Sequence, residues 1–496
     1  MGGAGLESRL FAEVSAERGR GVRMHRWASR FGALLVLLPL VGCEAVGPDY
    51  IQPAAIVPQQ YKEMKGWKIG SPRDDFAKGE WWKLFGDREL DRLEVQVSVS
   101  NQTLKADEAN YREAVALIAQ ARAGLFPTVN FNPSFTRSSP GTDLLVSEVT
   151  GSWTLDIWGK VRRAIEQQGA AAQVSAAILA NATLSAQSAL ALAYVQLREA
   201  DSLHDLLADT VKQYQRSLEI TQNQYNAGTS AKSDVITAQA QLLAAQAQEI
   251  NTGVARGQNE HAIAVLMGKP PSELSIPHGA LATEIPGIPV NVPSTLLERR
   301  PDIAAAERTM KQENAAIGVA IGGYYPDITL SGAFGYSGNP FVRQIAGMNP
   351  VWSYGLSAAQ TLFNGGLTEA QVEAARAAYE SSVATYRQTV LTAFQQVEDN
   401  LVAIRVYGAE AKVQVEAVKS AQQAVQIALN EYRAGTQNFT TVVTAEATAL
   451  VDEESLLATR AERMTAAVSL IVALGGGWNE SKLPEPIREP DGTPTP

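Results

Sequence analysis

Apolar positions along this chain of 496 residues change their period in a fixed order, and the order occurs twice. A helical spacing starts near Leu90 and runs through Asn101, Leu104, Ala109 and Ala116 to Gly124, where Phe126-Pro127 breaks it. The period then drops to two. From Thr128 to Arg137, Val129, Phe131 and Phe135 oppose Thr128, Asn130, Asn132, Ser134 and Thr136. From about Ser147 to Trp158, Val149, Gly151, Trp153, Leu155 and Ile157 oppose Thr150, Ser152, Thr154 and Asp156. Strands of this length joined by a polar Ser-Ser-Pro-Gly loop suit a membrane barrel, and taken alone they equally suit a soluble hairpin with one wet face.

A second strand pair follows, at Asp327 to Ser337 and Val351 to Phe363, with Pro340, Gly347 and Pro350 between. The first of these alternates through Ile328, Leu330, Ala333 and Phe334, with a slip expected near Gly332. Each pair feeds a proline-free helical stretch, from Gly159 to about Asn226 and from Gly365 to about Arg433. In the second stretch Tyr379, Val383, Tyr386, Val390, Phe394, Val397, Leu401 and Ile404 are spaced 4, 3, 4, 4, 3, 4 and 3. That mean lies between the heptad and the straight-helix period, as a gently supercoiled helix requires.

Landmarks confirm a duplication. Tyr225-Asn-Ala-Gly-Thr229 recurs 207 positions later as Tyr432-Arg-Ala-Gly-Thr436. Leu125-Phe-Pro-Thr-Val-Asn-Phe131 recurs as Tyr324-Tyr-Pro-Asp-Ile-Thr-Leu330 at an offset of 199. The turn at Trp158-Gly159 answers to Asn364-Gly365-Gly366. A glycine closing a long helix suits the left-handed cap, so the chain reverses at Gly228 into Ser233 to Gly253 and at Gly435 into Thr440 to Ala473. The expected organisation is an arm at 43–89, a first repeat at 90–268, a Pro-rich linker at 269–293, a second repeat at 294–474 and a flexible tail at 475–496. Four strands cannot close a barrel, and open edges in lipid leave backbone groups unpaired; three copies bring the strand number to an even twelve.

Composition narrows the partners. A net charge of −10 with no basic block argues against nucleic acid. The four histidines are scattered and the single cysteine excludes an internal disulfide or a thiolate metal cluster. No nucleophile–base set or phosphate loop emerges, so no enzyme is expected. Arg26 and Arg30 precede the apolar run Phe31 to Leu40, ending in Leu40-Val-Gly-Cys43, which describes an export signal at 1–42 with its true start at Met24. Leu-Val-Gly-Cys resembles the bacterial lipobox, which implies a covalent lipid on Cys43 as the only cofactor; a buried thiol in a membrane anchor is the alternative. Glu44 leaves the sorting destination open.

These pieces together resemble the TolC-type outer-membrane factors, in their lipid-anchored NodT/OprM branch. The resemblance rests on the lipobox, Trp81-Trp82, Gly124-Leu-Phe-Pro127, Leu155-Asp-Ile-Trp-Gly159, Leu296-Leu-Glu-Arg-Arg-Pro-Asp-Ile303, Gly318-Val-Ala320, Tyr325-Pro326 and both Tyr-x-Ala-Gly-Thr tips. It implies a mainly α fold with a transmembrane β part: a homotrimer forming a 12-stranded outer-membrane barrel that continues into a periplasmic helical tunnel. It further implies a passive exit duct for drugs or other small toxic compounds. The implied partners are a periplasmic adaptor, an inner-membrane pump of the resistance–nodulation–division type, and outer-membrane lipid. Protein secretion with an ABC pump is the alternative, and a non-conducting envelope scaffold a third.

Family resemblance also nominates site residues. Relatives carry inward aspartates beyond the tips, and Asp234 fits such a position, although an Asp at a helix start also suits the dipole alone. In the second repeat the matching positions are Thr441 and Thr444, and Gln437 stands where some members have a gate arginine. Tyr432 is a candidate for bonding between hairpins, or for simple packing. Gly228, Thr229, Gly435 and Thr436 are the candidate adaptor contacts. Arg299-Arg300-Pro301-Asp302 reads as a helix-start lock more than as an anion site.

Overall fold

The computed structural model describes residues 45–55, 57–63, 79–139, 142–288, 290, 293–339 and 348–484. The expected signal at 1–42, the start at Met24, Cys43, Glu44, Pro340 and Gly347 lie outside the described residues. A short turn at Trp81–Phe85 leads to α1 (Arg88–Ser100) and α2 (Gln102–Ala123), then β1 (Thr128–Ser138) and β2 (Thr142–Leu155). The first hairpin is α3 (Lys160–Asn226) with α4 (Lys232–Leu266). The second repeat gives α5 (Pro301–Gly322), β3 (Asp327–Gly338), β4 (Met348–Ala359), α6 (Leu367–Arg433) and α7 (Phe439–Ala473).

One helix was expected from Leu90 to Gly124, and two are found. Asn101 breaks the run with extended backbone at ψ 125°, and its Oδ1 accepts from the backbone N–H groups of Thr103 and Leu104. Its amide also donates to the Leu266 carbonyl at 2.8 Å, so this N-cap ties α2 to the end of α4. The return helix α4 runs well past the expected Gly253, because Ile263 and Ala264 at its far end are wholly buried.

The four strands form one antiparallel sheet in the order β1-β2-β3-β4, so the two repeats meet at β2–β3 and the outer edges of β1 and β4 are free. The register sorts the side chains into two faces. Phe131, Val149, Phe334 and Trp352 form one cross-strand row, and Trp153, Leu330 and Leu356 another on the same face. On the opposite face Asn132 Nδ2 donates to Thr150 Oγ1 at 2.9 Å, and the Thr154 and Thr329 hydroxyls bond at 3.2 Å. The slip expected near Gly332 does not occur. Gly332 pairs with Gly151 on the apolar face, so β3 stays in register and the small Ala333 falls on the polar one. Strand β4 ends at Ala359 rather than at Phe363, since its partner β3 begins at Asp327.

The long helices α3 and α6 contain 67 residues each. At 1.5 Å per residue each is about 100 Å long. Tyr386, Val390, Val397, Leu401 and Ile404 of the predicted stripe are buried, as the spacing requires. The main core lies around the middle of these helices, where Trp81, Leu93, Leu190, Ile263 and Ile471 pack. The Pro-rich segment wraps this level: Ile276 and Leu281 are buried, and Arg256 donates to the Ile276 carbonyl at 2.7 Å. Within this core Glu94 is fully buried with neither carboxyl oxygen hydrogen-bonded among the described residues, and burial raises its pKa to about 9.

Two further segments are strapped to the helices. Val46 N–H donates to the Trp158 carbonyl at 2.9 Å beneath the sheet, and the buried Arg163 holds Asp49 at 2.7 Å and Glu166 at 2.8 Å. The expected flexible tail is docked over its described part: Arg308 pairs with Glu480 at 2.5 Å, and Gln173 donates to the Pro484 carbonyl at 3.2 Å. The Arg-Arg-Pro-Asp segment is a helix start. Pro301 occupies the first turn of α5, and Arg300 bonds Asp302 at 2.6 Å and the Ala473 carbonyl at 3.1 Å.

Candidate functional site

The end of the molecule remote from the sheet is built twice on the same Tyr-x-Ala-Gly-Thr pattern, with Asn226 in one copy and Arg433 in the other. At each tip the glycine takes a left-handed conformation, with φ 77° at Gly228 and 73° at Gly435. This lets Thr229 N–H return to the Gln224 carbonyl and Thr436 N–H to the Glu431 carbonyl, at 2.9 and 3.0 Å. Each threonine hydroxyl then bonds the same carbonyl at 3.0 Å. The four tip residues nominated for contact are thus rigid, solvent-facing caps.

The two copies differ in their tyrosines. Tyr225 is exposed, whereas Tyr432 is buried, with its ring 5.2 Å from that of Phe439 and close to Ala238 and Val442. Its hydroxyl lies 2.9 Å from Ser230 Oγ, and Ser230 donates to Asp234 Oδ2 at 2.8 Å. Because the serine proton goes to the carboxylate, the tyrosine proton goes to the serine. A directed chain Tyr432 to Ser230 to Asp234 therefore joins the second hairpin to the first, and Gln224 adds a bond to the Tyr432 carbonyl at 3.1 Å. Tyr432 thus both packs among apolar side chains and bonds to Ser230 of the other hairpin of its own chain.

The other nominated residues stay apart from this chain. Thr441 is held locally: its N–H and hydroxyl both donate to the capping Asn438 side chain, at 3.2 and 3.1 Å, and its hydroxyl lies 3.4 Å from Gln437 Oε1. Thr444 donates to the Thr440 carbonyl at 2.9 Å. All three are exposed polar positions on the first turns of α7 or just before it.

Ser230 was not singled out from sequence, although its place one residue past the Gly-Thr and four before Asp234 is a signal that could have done so. A second link also went unnoticed. Ser217 of α3 donates to Glu446 of α7 at 2.5 Å, and both side chains are buried. The other oxygen of Glu446 has no partner among the described residues. The pair borders a cavity of about 880 Å³ between α3, α6 and α7, lined also by Tyr214, Arg216, Lys419, Arg433 and Glu453. Burial raises the Glu446 pKa to about 7, and the Ser217 bond offsets part of that rise. Elsewhere His278 bonds Asp201 and Asp205, at 3.2 and 3.0 Å, and no cluster of metal-ligand side chains forms among the described residues.

The arrangement holds two helical hairpins together through a few polar bonds. Known proteins resemble the chain over most of its length. The family described as "outer membrane efflux protein" matches residues 94–269 and 292–476. The toluene efflux pump outer membrane protein TtgC of Pseudomonas putida is 28% identical over 455 residues, covering 89% of this chain and 94% of that one. Outer membrane protein OprJ of Pseudomonas aeruginosa is 28% identical, covering 92% of this chain and 98% of its own. Among solved structures the outer-membrane channel OprN superposes with a TM-score of 0.80 at 28% identity, covering 87% and 99% of the two chains.

The Glu446 link carries a pH dependence with a definite sign. The folded pKa lies near 7 against an ordinary 4.5 because burial disfavours the charged form, so the seam keeps its full stability below pH 4.5 and loses it as pH rises through about 7, the Ser217 bond offsetting part of the loss. Amide exchange of residues 214–225 should accelerate between pH 5 and 8 beyond its intrinsic rate. Glu446→Gln should flatten that extra rise, and an unchanged profile in the variant would assign it elsewhere.

Proposed function

The chain belongs to the outer membrane efflux protein family, and from that premise we propose that three copies form a closed barrel and helical tunnel serving as the exit duct of a tripartite pump. The observation that carries this reading is the four-stranded sheet with two unpaired edges, continuous with helices of 67 residues. With the strands alternating in direction, β4 of one copy meets β1 of the next antiparallel, and three copies leave no edge. The apolar face then meets lipid and the polar face lines a water-filled lumen. The long helices carry the lumen across the periplasm to the tips, where an adaptor and an inner-membrane pump of the resistance–nodulation–division type dock. The caps at Gly228, Thr229, Gly435 and Thr436 are the contacts we assign to the adaptor.

The cargo is small and toxic rather than a folded protein. Relatives named as toluene and solvent efflux proteins support this choice over ABC-driven secretion. Deleting the gene should sensitise cells to toluene and to amphiphilic antibiotics, and crosslinking from this chain should recover a resistance–nodulation–division pump with its adaptor. Recovery of an ABC exporter, with unchanged solvent tolerance, would move the reading to protein secretion.

Asp234, Ser230 and Tyr432 form the latch of the closed periplasmic end, with Gln437, Thr441 and Thr444 on the same rim. Removing one hydrogen bond changes such an equilibrium by about 1 kcal/mol, or several-fold. Tyr432→Phe keeps the ring packing and should raise the open probability of single channels in planar bilayers by roughly that factor. If the variant gates like the parent, the latch is elsewhere.

Cys43 carries the lipid that anchors the arm. Only two residues separate it from Val46, whose N–H is bonded beneath the sheet at Trp158, close to the membrane surface that the barrel defines. Palmitate labelling should mark the native protein and vanish in Cys43→Ser. A label that survived the substitution would exclude this cysteine as the attachment point.

A further inference from the structure

We propose that Glu148, inside the barrel, is a selectivity-determining residue that makes the membrane part of the duct cation-preferring independently of the tips. The inference rests on the channel reading given above. Sheet register places Glu148 in one cross-strand row with Asn132, Gly335 and Val351, on the same face as Thr150 and Thr154. That face is the polar one, as the Asn132–Thr150 and Thr154–Thr329 bonds show. Its neighbour Val149 points to the opposite face, in the row of Phe131, Phe334 and Trp352. A charge on the apolar face at this depth would be strongly disfavoured, so the two faces cannot be exchanged.

The sheet also makes room for this side chain. A Cβ on Gly335 would lie 2.5 Å from Glu148 Cα and 2.7 Å from its Cβ, so any larger residue there would displace the glutamate. No hydrogen bond or ion pair holds the Glu148 carboxylate among the described residues. Of the charged residues on the four strands, Arg137 and Asp143 share the other parity and neutralise one another at 3.1 Å. Asp327 has the lumen parity and stands at the first residue of β3. Among the described strand positions the lumen parity therefore carries two acidic residues and no basic one.

Height decides which matters more. Glu148 lies seven residues along β2 from Leu155, which is about 24 Å of strand and, at the usual tilt, roughly 18 Å of height. This is within the apolar band of about 25 Å, where a lumen has low-dielectric walls and a fixed charge acts over a longer range. Asp327 sits about 27 Å further along β3, at the junction of the sheet with the helices and outside the apolar band. With three copies, Glu148 becomes a ring of three carboxylates at one level. Such a ring raises the local concentration of cations and excludes anions.

The test is reversal potential in planar bilayers under a tenfold KCl gradient, with wild type, Glu148→Gln and Glu148→Asp, each also in a Tyr432→Phe background that relieves the tip. The K⁺/Cl⁻ permeability ratio should fall about two- to fivefold in Glu148→Gln and be retained in Glu148→Asp. Hexaamminecobalt(III) added to the outer side alone should reduce the conductance of the native channel, which needs no variant to fold, and Glu148→Gln should lose this block. A wild-type channel indifferent to the trivalent ion, or a Glu148→Gln ratio equal to the parent's, would overturn the inference while leaving the duct intact. A native trimer that never conducts would overturn the duct reading and this inference together.

Discussion

The backbone hydrogen bonds at the edges of the sheet are the constraint on which the rest of the molecule depends. Strands β1 and β4 each present an unpaired row of N–H and C=O groups, and their apolar faces exclude water as the partner. In lipid such groups must be satisfied by further strands, so the sheet is one part of a larger closed wall. The same requirement fixes where the helices go. Strand pairs that follow a cylinder deliver α3 and α6 to its lower rim with α5 packed between them, and Trp158 and Tyr325 stack at 4.9 Å where the two repeats pass through it. Trp158 Nε1 donates to the Pro326 carbonyl at 2.9 Å, which locks the first repeat to the second at that level.

Below the rim the packing problem changes from edges to seams. Helices of this length gain little from a central core, so each turn must be stabilised by the turn beside it. Alanine at positions such as 170, 177, 191, 238 and 428 lets the helices approach closely with little side-chain entropy lost. Large side chains collect where α1, the Pro-rich segment and the docked tail thicken the wall, and there the buried tryptophan and leucines form a real core. The arm and the tail run along the outside of this level, tied by Glu398 accepting from the Lys62 and Glu63 N–H groups and by Glu480 on Arg308. They act as straps across helices that would otherwise be held only along narrow seams.

Much of this was legible in the sequence because it depends on period and punctuation. The change from period two to 3.6, the proline-free runs and the repeated Tyr-x-Ala-Gly-Thr located the strand pairs, the two 67-residue helices and the tips, although the return helix α4 runs on to Leu266. The misreadings have local causes. Asn101 looked like one more polar position in a helix; it caps the Thr103 and Leu104 N–H groups, and the tie that holds its amide there, to Leu266, is far away in sequence. The slip near Gly332 was inferred from Ala333, whose small side chain is tolerated on either face. The tail looked free because its partners, Gln173 and Arg308, lie on distant helices. At the tips the sequence nominated Asp234 and Tyr432 separately, by likeness to relatives. It could not show that a serine joins them, since that depends on how two hairpins of one chain lie against each other.

That serine bears on why the ends of the hairpins are held by polar bonds at all. An apolar seam continued to the tip would be more stable, but it could open only by exposing its side chains to water, with nothing to offset the loss. A tyrosine–serine–aspartate chain behaves differently. Its members exchange protein partners for water on opening, and the net difference for each bond is small. The aspartate in the first turn of α4 retains its favourable place by the helix dipole in either state. The buried Ser217–Glu446 pair works in the same sense, because a carboxyl with one oxygen unpaired is held in the closed seam at a cost that separation would relieve. Buried apolar side chains are concentrated in the thick middle, and the buried cluster at the tips is small. Under the latch proposed above, a modest docking energy is enough to move the ends without disturbing the wall above them.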